Sequence, residues 1–211
     1  VILRHGAENE RLRGQLILMT SSSGGEPDLR SWRKVIDEAV DPEGFIDYKS
    51  TYEYSQVIRD VLDELRRLLD AGHAGAVIDL AEHFLRKFEE QMQSMGDSDG
   101  FAGGILEELQ EMHHSACMKA QPDPEQLAER LFQWSLGSDW GVFSGVVDQY
   151  TGVFGERGLE RYRALAQAEW AGVPPLRPGL RAQGYSGKRS RITSIMERLA
   201  DYQVQYATAY I

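Results

Sequence analysis

The chain has 211 residues, 42% hydrophobic and 27% charged, with a formal net charge of −10 and one cysteine. That size allows one large domain or two small ones, and the composition is that of a globular protein and not a disordered one. No apolar run approaches the ~20 residues that span a bilayer, a single cysteine excludes an internal disulfide and fits a reducing, cytoplasmic setting, and the acidic balance opposes nonspecific nucleic-acid binding by the chain as a whole.

In chain order, almost every segment has helical period. The N-terminal VILRHGAENERLRGQLILM is charged and helix-like from its sixth residue, without the design of a signal peptide. Val1 in place of an initiator methionine and the abrupt ending ATAYI make the chain read as part of something longer. A first helix pair is expected over about 8–20 and 28–40, around the loop SSSGGEP. Next, Val57, Ile58, Val61, Leu62, Leu65, Leu68 and Leu69 make one apolar stripe, and Gly72 is suited to the left-handed residue just past a helix end. The following helix carries Val77, Leu80, Ala81, Phe84, Leu85, Phe88 and Met92, and so short a turn predicts an antiparallel hairpin.

The stretch SMGDSDGFAGGILEELQEMHHSAC (94–117) offers acids, glycines, two histidines and the cysteine together. Laid on a calcium loop, Asp97, Asp99 and Gly100 at positions three, five and six put Met95 at one and Leu106 at twelve, so both ends lack an oxygen ligand. The same residues are expected to serve as punctuation: Gly96 ends one helix, Asp97, Ser98 or Asp99 caps the next, and Gly103 and Gly104 permit close helix contact. Ile105, Leu109, Met112 and Ala116 then define a buried direction, with His113 and Cys117 near its edge and His114 pointing almost the opposite way. These three do not converge on one ion, and a zinc site would have to recruit His73 or His83. A thiolate pair of Cys117 with His113 lacks an oxyanion-type glycine turn beside it.

Downstream, Asp123 caps and Pro124 opens a helix over Leu127, Leu131 and Phe132, where Gln126 completes a capping box. Trp140, Phe143, Val147, Tyr150 and Phe154 mark a further helix closed by Gly155, and Leu159, Tyr162, Leu165, Ala166 and Trp170 mark its partner. VPPLRPGLRAQGYSGK is a Pro- and Gly-rich break before a last helix with Ile192, Ile195, Met196 and Leu199. The expected class is all-α: antiparallel helix hairpins stacked as a degenerate tetratricopeptide-like superhelix, with a compact bundle as the alternative. The expected parts are an N-terminal helix pair (1–43), a hairpin core (44–173), a basic connector (174–190) and a C-terminal helix (191–211).

Between Glu169 and Glu197 there is no acidic residue, while Arg177, Arg181, Lys188, Arg189 and Arg191 gather around Tyr185. This loop either contacts phosphate or an acidic partner, or is a connector whose cations pair with the acidic helices. Phosphate-binding, dinucleotide, zinc-protease and hydrolase motifs do not occur in the sequence, and no cofactor or metal is expected.

The segments GFIDYKSTYEYSQVIRDVLDELRRLLDAGHAGAVIDLAEH, DSDGFAGGILEELQEMHHSAC, PDPEQLAERLFQWSL, SDWGVFSGVVDQYTGVFGERGLERYRALAQAEW and YSGKRSRITSIMERLA cover most of residues 44–200. In order and spacing they resemble the long helical region of bacterial proteins that carry a SWIM-type zinc finger and whose function is unknown. The resemblance implies a tetratricopeptide-like interaction region with no catalytic residues to transfer. The finger itself uses a C-x-C…C-x-H ligand set, which one cysteine cannot supply, so its zinc and DNA binding do not carry over. The resulting expectation is a non-enzymatic, bacterial interaction module with an unidentified protein partner and no membrane. Trp134, Trp140, Tyr150 and Arg161, with Tyr185, Arg189 and Arg191, are the expected contact residues, and a nucleic-acid role for residues 177–191 is the alternative.

Overall fold

Every regular element among the described residues is helical. The structure, a computed structural model, describes Gly14 and residues 25–40, 48–92, 101–174 and 187–209. Eight helices lie there: α1 (Leu29–Val40), α2 (Tyr48–Asp70), α3 (Ala74–Met92), α4 (Phe101–Ala120), α5 (Pro124–Gly137), α6 (Val146–Gln149), α7 (Thr151–Ala171) and α8 (Gly187–Ala209). None is long and apolar enough to cross a membrane. The chain divides into two compact units, Val1–Ala120 and Gln121–Ile211, so the boundary cuts the stretch expected as a single 44–173 core. The local cause is the sequence AQPDP: Gln121 takes a left-handed φ of 49°, and proline can begin a helix but not continue one. Charge divides with the chain. Residues 1–120 hold 13 Lys and Arg against 23 Asp and Glu and residues 121–211 hold ten of each, which assigns the whole net charge of −10 to the first unit.

In the first unit, α1 begins where the Asp28 carboxylate accepts from the Arg30 amide (3.1 Å) and the Ser31 hydroxyl (2.6 Å). It buries Trp32, Val35, Ile36, Ala39 and Val40. Its open C-terminal end is met by α2, whose Tyr54 hydroxyl donates to the Val40 carbonyl at 3.1 Å. The predicted apolar stripes of α2 and α3 are buried throughout, from Val57 to Leu69 and from Val77 to Met92. Between them the His73 amide bonds back to Leu68 and the Gly72 amide to Leu69, with Gly72 at φ 95°, which is a Schellman turn. The antiparallel hairpin expected here is nevertheless not the main packing of α3, which lies more extensively along α4 and α1. A three-residue turn fixes where α3 starts, whereas its crossing angle is decided by the larger apolar faces. α2 runs parallel to α4, marked in order by the Tyr54–Phe101 ring contact, the Arg66–Glu108 pair and the Asp70–Lys119 pair.

Asp97 and Asp99, expected as caps of α4, lie outside the described residues. Gly103 and Gly104 are exposed, and a Cβ on either would meet no atom within 4 Å, so they do not mediate the close helix contact expected of them.

In the second unit, Asp123 caps α5 by accepting from the Gln126 amide at 2.8 Å, with Pro124 in the first turn. The predicted helix from Trp140 to Phe154 is instead a series of turns around the one-turn α6, because Gly141 (φ 74°) and Phe143 (φ 58°) leave helical backbone. Gly155 does interrupt the chain, at φ 54° and ψ −162°, a region open essentially to glycine alone, and α7 bends there. The crossover returns the chain to the beginning of α5, so α7 runs parallel to it. Arg157–Glu125 and Arg161–Glu129 form two successive rungs, with Nε–carboxylate distances of 2.8 and 2.7 Å. Close approach depends on Gly158, where a Cβ would lie 2.8 Å from the Pro124 carbonyl oxygen. Between the helices, the rings of Trp134, Phe143, Tyr150, Phe154, Tyr162 and Phe132 touch in sequence at centroid distances of 5.3 to 6.0 Å. The Tyr162 hydroxyl lies 3.1 Å from Ser135 Oγ, and burial pushes its pKa up to about 12.

Candidate functional site

Two groups of chemistry-bearing residues come together, one in each unit. The first joins α3 to α4. His113 Nε2 is 3.3 Å from Glu82 Oε1, Glu82 is also 3.3 Å from Arg86, and Cys117 Sγ is 3.8 Å from the His113 ring nitrogens. Carboxylate, imidazole and thiol therefore adjoin, but the sulfur is equidistant from both ring nitrogens, whereas an activated nucleophile is lined up on the one opposite Glu82. Neither His113 nor Cys117 has any exposed surface, and Glu82 has 6%. The expected half-buried edge is thus a sealed interior, because α3 covers it as well as α4's own turn. A thiol without an accessible face has no room for an attacking geometry, and the arrangement serves as an interhelix polar link in an apolar core. The recruited zinc ligand does not materialise: His83 instead bonds Asp37 of α1 at 2.7 Å, and no set of three His, Cys, Asp or Glu side chains among the described residues is placed for a metal.

The second group stands where α5 ends and α8 begins. The Ser138 amide closes α5 on the Trp134 carbonyl (2.8 Å), and the Ser138 hydroxyl oxygen accepts from the amides of Trp140 (3.2 Å) and Val142 (3.0 Å). Val142 and Phe143 enter the core, Phe143 in a left-handed conformation that costs a bulky L-residue about 1–2 kcal/mol and that burial maintains. Trp140 is turned outward by the same loop and is 43% exposed. Trp170, one residue before the end of α7, is 41% exposed. Trp140 was expected as a contact residue on a helix running to Phe154, and Trp170 only as a member of the stripe of Tyr162 and Ala166. Trp140 faces out on a backbone that is not helical over 138–145, and Trp170 lies past the end of α5 at Gly137 in the register set by Arg157–Glu125 and Arg161–Glu129.

The start of α8 meets both places. Arg191 Nε donates to the Leu136 carbonyl at 2.6 Å and Arg191 Nη1 pairs with Asp139 at 2.7 Å, while Lys188 Nζ pairs with Glu169 at 2.8 Å. Each acid precedes an exposed tryptophan in the sequence.

The residues expected to contact a partner therefore separate. Trp140 is exposed; Trp134 is half-buried, edge-on to Phe143 (5.3 Å). Tyr150 has no exposed surface and is a core ring, so it offers a partner nothing. Arg161 is held by Glu129, Arg191 by Leu136 and Asp139, and Arg189 is half-buried in the first turn of α8. Tyr185, Arg177 and Arg181 lie outside the described residues. Trp170 carries no signal in the sequence that separates it from the buried members of its stripe. No family model, curated protein or solved structure matches the chain.

Proposed function

We propose that this chain is a non-enzymatic helical interaction module of a bacterial, cytoplasmic protein, and that it binds a protein partner through Trp140 and Trp170. The observation that carries the reading is the loop 138–145, which holds a large aromatic side chain in solvent on a backbone fixed by Ser138 and by the buried Val142 and Phe143. A ring presented in this way loses little conformational freedom on binding, and tryptophan is enriched among residues that dominate binding energy. Parallel pairing of α2 with α4 and of α5 with α7 supports a repeated helical plan, as the likeness to the helical region of SWIM-finger proteins implies. The alternative nucleic-acid role for residues 177–191 has less support, since Lys188 and Arg191 are already engaged by Glu169 and Asp139.

Affinity capture from bacterial lysate with the full chain and with the Trp140→Ala/Trp170→Ala variant tests the reading. The expected result is a partner retained by the first and lost by the second, each truncation costing about 2 kcal/mol or more of binding. Identical captured sets from the two baits would sink it.

A further inference from the structure

The cations at the start of α8 are three residues apart, on one helix face, and each holds the acid that precedes an exposed tryptophan. Arg191 grips both sides of the Trp140 loop entrance, through the Leu136 carbonyl in the last turn of α5 and through Asp139. Its side chain is only 23% exposed, and Gly187 leaves the space that it occupies, since a Cβ there would stand 2.7 Å from Arg191 Nη1. A guanidinium can donate in two directions from one rigid plane, which a lysine cannot. Lys188 is more exposed than Arg191, 57% against 23%, and has one acceptor among the described residues, Glu169, where Arg191 has the Leu136 carbonyl as well as Asp139, so it is the weaker hold.

We infer that the first turn of α8 is a clamp that sets Trp140 and Trp170 as one composite contact site, with Arg191 and Lys188 as positioning residues that act through Asp139 and Glu169 and touch no ligand. The inference rests on the proposed binding role of the two tryptophans. It gives the basic residues of this region a purpose other than contact with an anion, and it makes the placement of α8 a means of controlling the site.

Amide hydrogen exchange of the full chain, followed by NMR, tests the clamp without any partner. In Arg191→Ala the amides of Trp140 and Val142, which donate to Ser138, are expected to exchange roughly tenfold faster or more, while Leu131 and Phe132 in α5 stay within about threefold of the unaltered chain. Arg191→Lys, which keeps the charge but not the fork, is expected to fall between, and Lys188→Ala to loosen only the amides of Gly172 and Val173 at the end of α7. Unchanged exchange at Trp140 and Val142 in a folded Arg191→Ala protein overturns the inference, as does a uniform acceleration across the second unit, which would mark a general loss of stability. Partner capture is the second arm: Arg191→Ala is expected to weaken it without itself being a contact. Local loosening combined with capture that ignores both Trp140→Ala and Trp170→Ala would retain the clamp as a structural device and remove the binding role.

Discussion

At the scale of single residues, two buried polar groups make the sharpest predictions. The Tyr162 hydroxyl titrates near 12 in the folded chain against about 10 when unfolded. Below pH 10 both states keep the proton. Between pH 10 and 12 the unfolded chain releases it first, so stability falls as pH rises through that window, by roughly 2–3 kcal/mol at its upper end. Urea unfolding as a function of pH is expected to show this alkaline limb and to lose it in Tyr162→Phe; an unaltered limb in that variant would assign the effect elsewhere. The Glu82–His113 link is a different case, because removing one partner leaves the other buried. His113→Ala is expected to cost roughly 2–4 kcal/mol, from the cavity and from the loss of one of the buried carboxylate's partners, Arg86 remaining. Glu82→Leu combined with His113→Leu is expected to cost less than the sum of the two single changes, as measured by a double-mutant cycle in denaturant. Single changes that leave stability untouched would show that the group is not part of the packing and would reopen a chemical role for Cys117.

At the scale of elements, stops and starts follow from local chemistry, and close contacts do not. Asp123→Ala is expected to destabilise the second unit by about 1 kcal/mol, the usual worth of an N-cap, with denaturant midpoints as the measure. Gly155→Ala and Gly158→Ala are expected to cost at least as much, for different reasons. The first forces a Cβ into φ 54°, ψ −162°; the second drives one against the Pro124 backbone and pushes α7 off α5. Gly103→Ala and Gly104→Ala, by contrast, are expected to be neutral or slightly stabilising, because each adds helix propensity in open space. If all four glycines responded alike, the division into conformational, steric and incidental glycines would fail. Gly72 and Gly155 were legible beforehand, since glycine past a helix end or inside a helical pattern advertises a left-handed turn. Gly158 was not, because nothing in GERGLERY says which other helix will lie above it.

At the scale of the whole molecule, each unit has a buried apolar set of its own, and the first carries the entire excess of negative charge. Chains 1–120 and 121–211 expressed separately are expected to be helical by circular dichroism, each with its own cooperative melting transition. A unit that is unfolded on its own would show that the two depend on each other. The all-α class, the buried stripes of α2 to α5, the Asp123 cap, the Gly72 turn and the Gly155 break were legible in the order of residues. These depend on residues within a turn or two of one another, where helical period and capping leave few alternatives. Tertiary structure alone decided the parallel pairing of α5 with α7, the full burial of His113, Cys117 and Tyr150, and the exposure of Trp140 and Trp170. Each of those depends on which distant surface arrives to cover a side chain. A tryptophan at a core-like position has the same local sequence whether a second helix reaches it or ends one turn short.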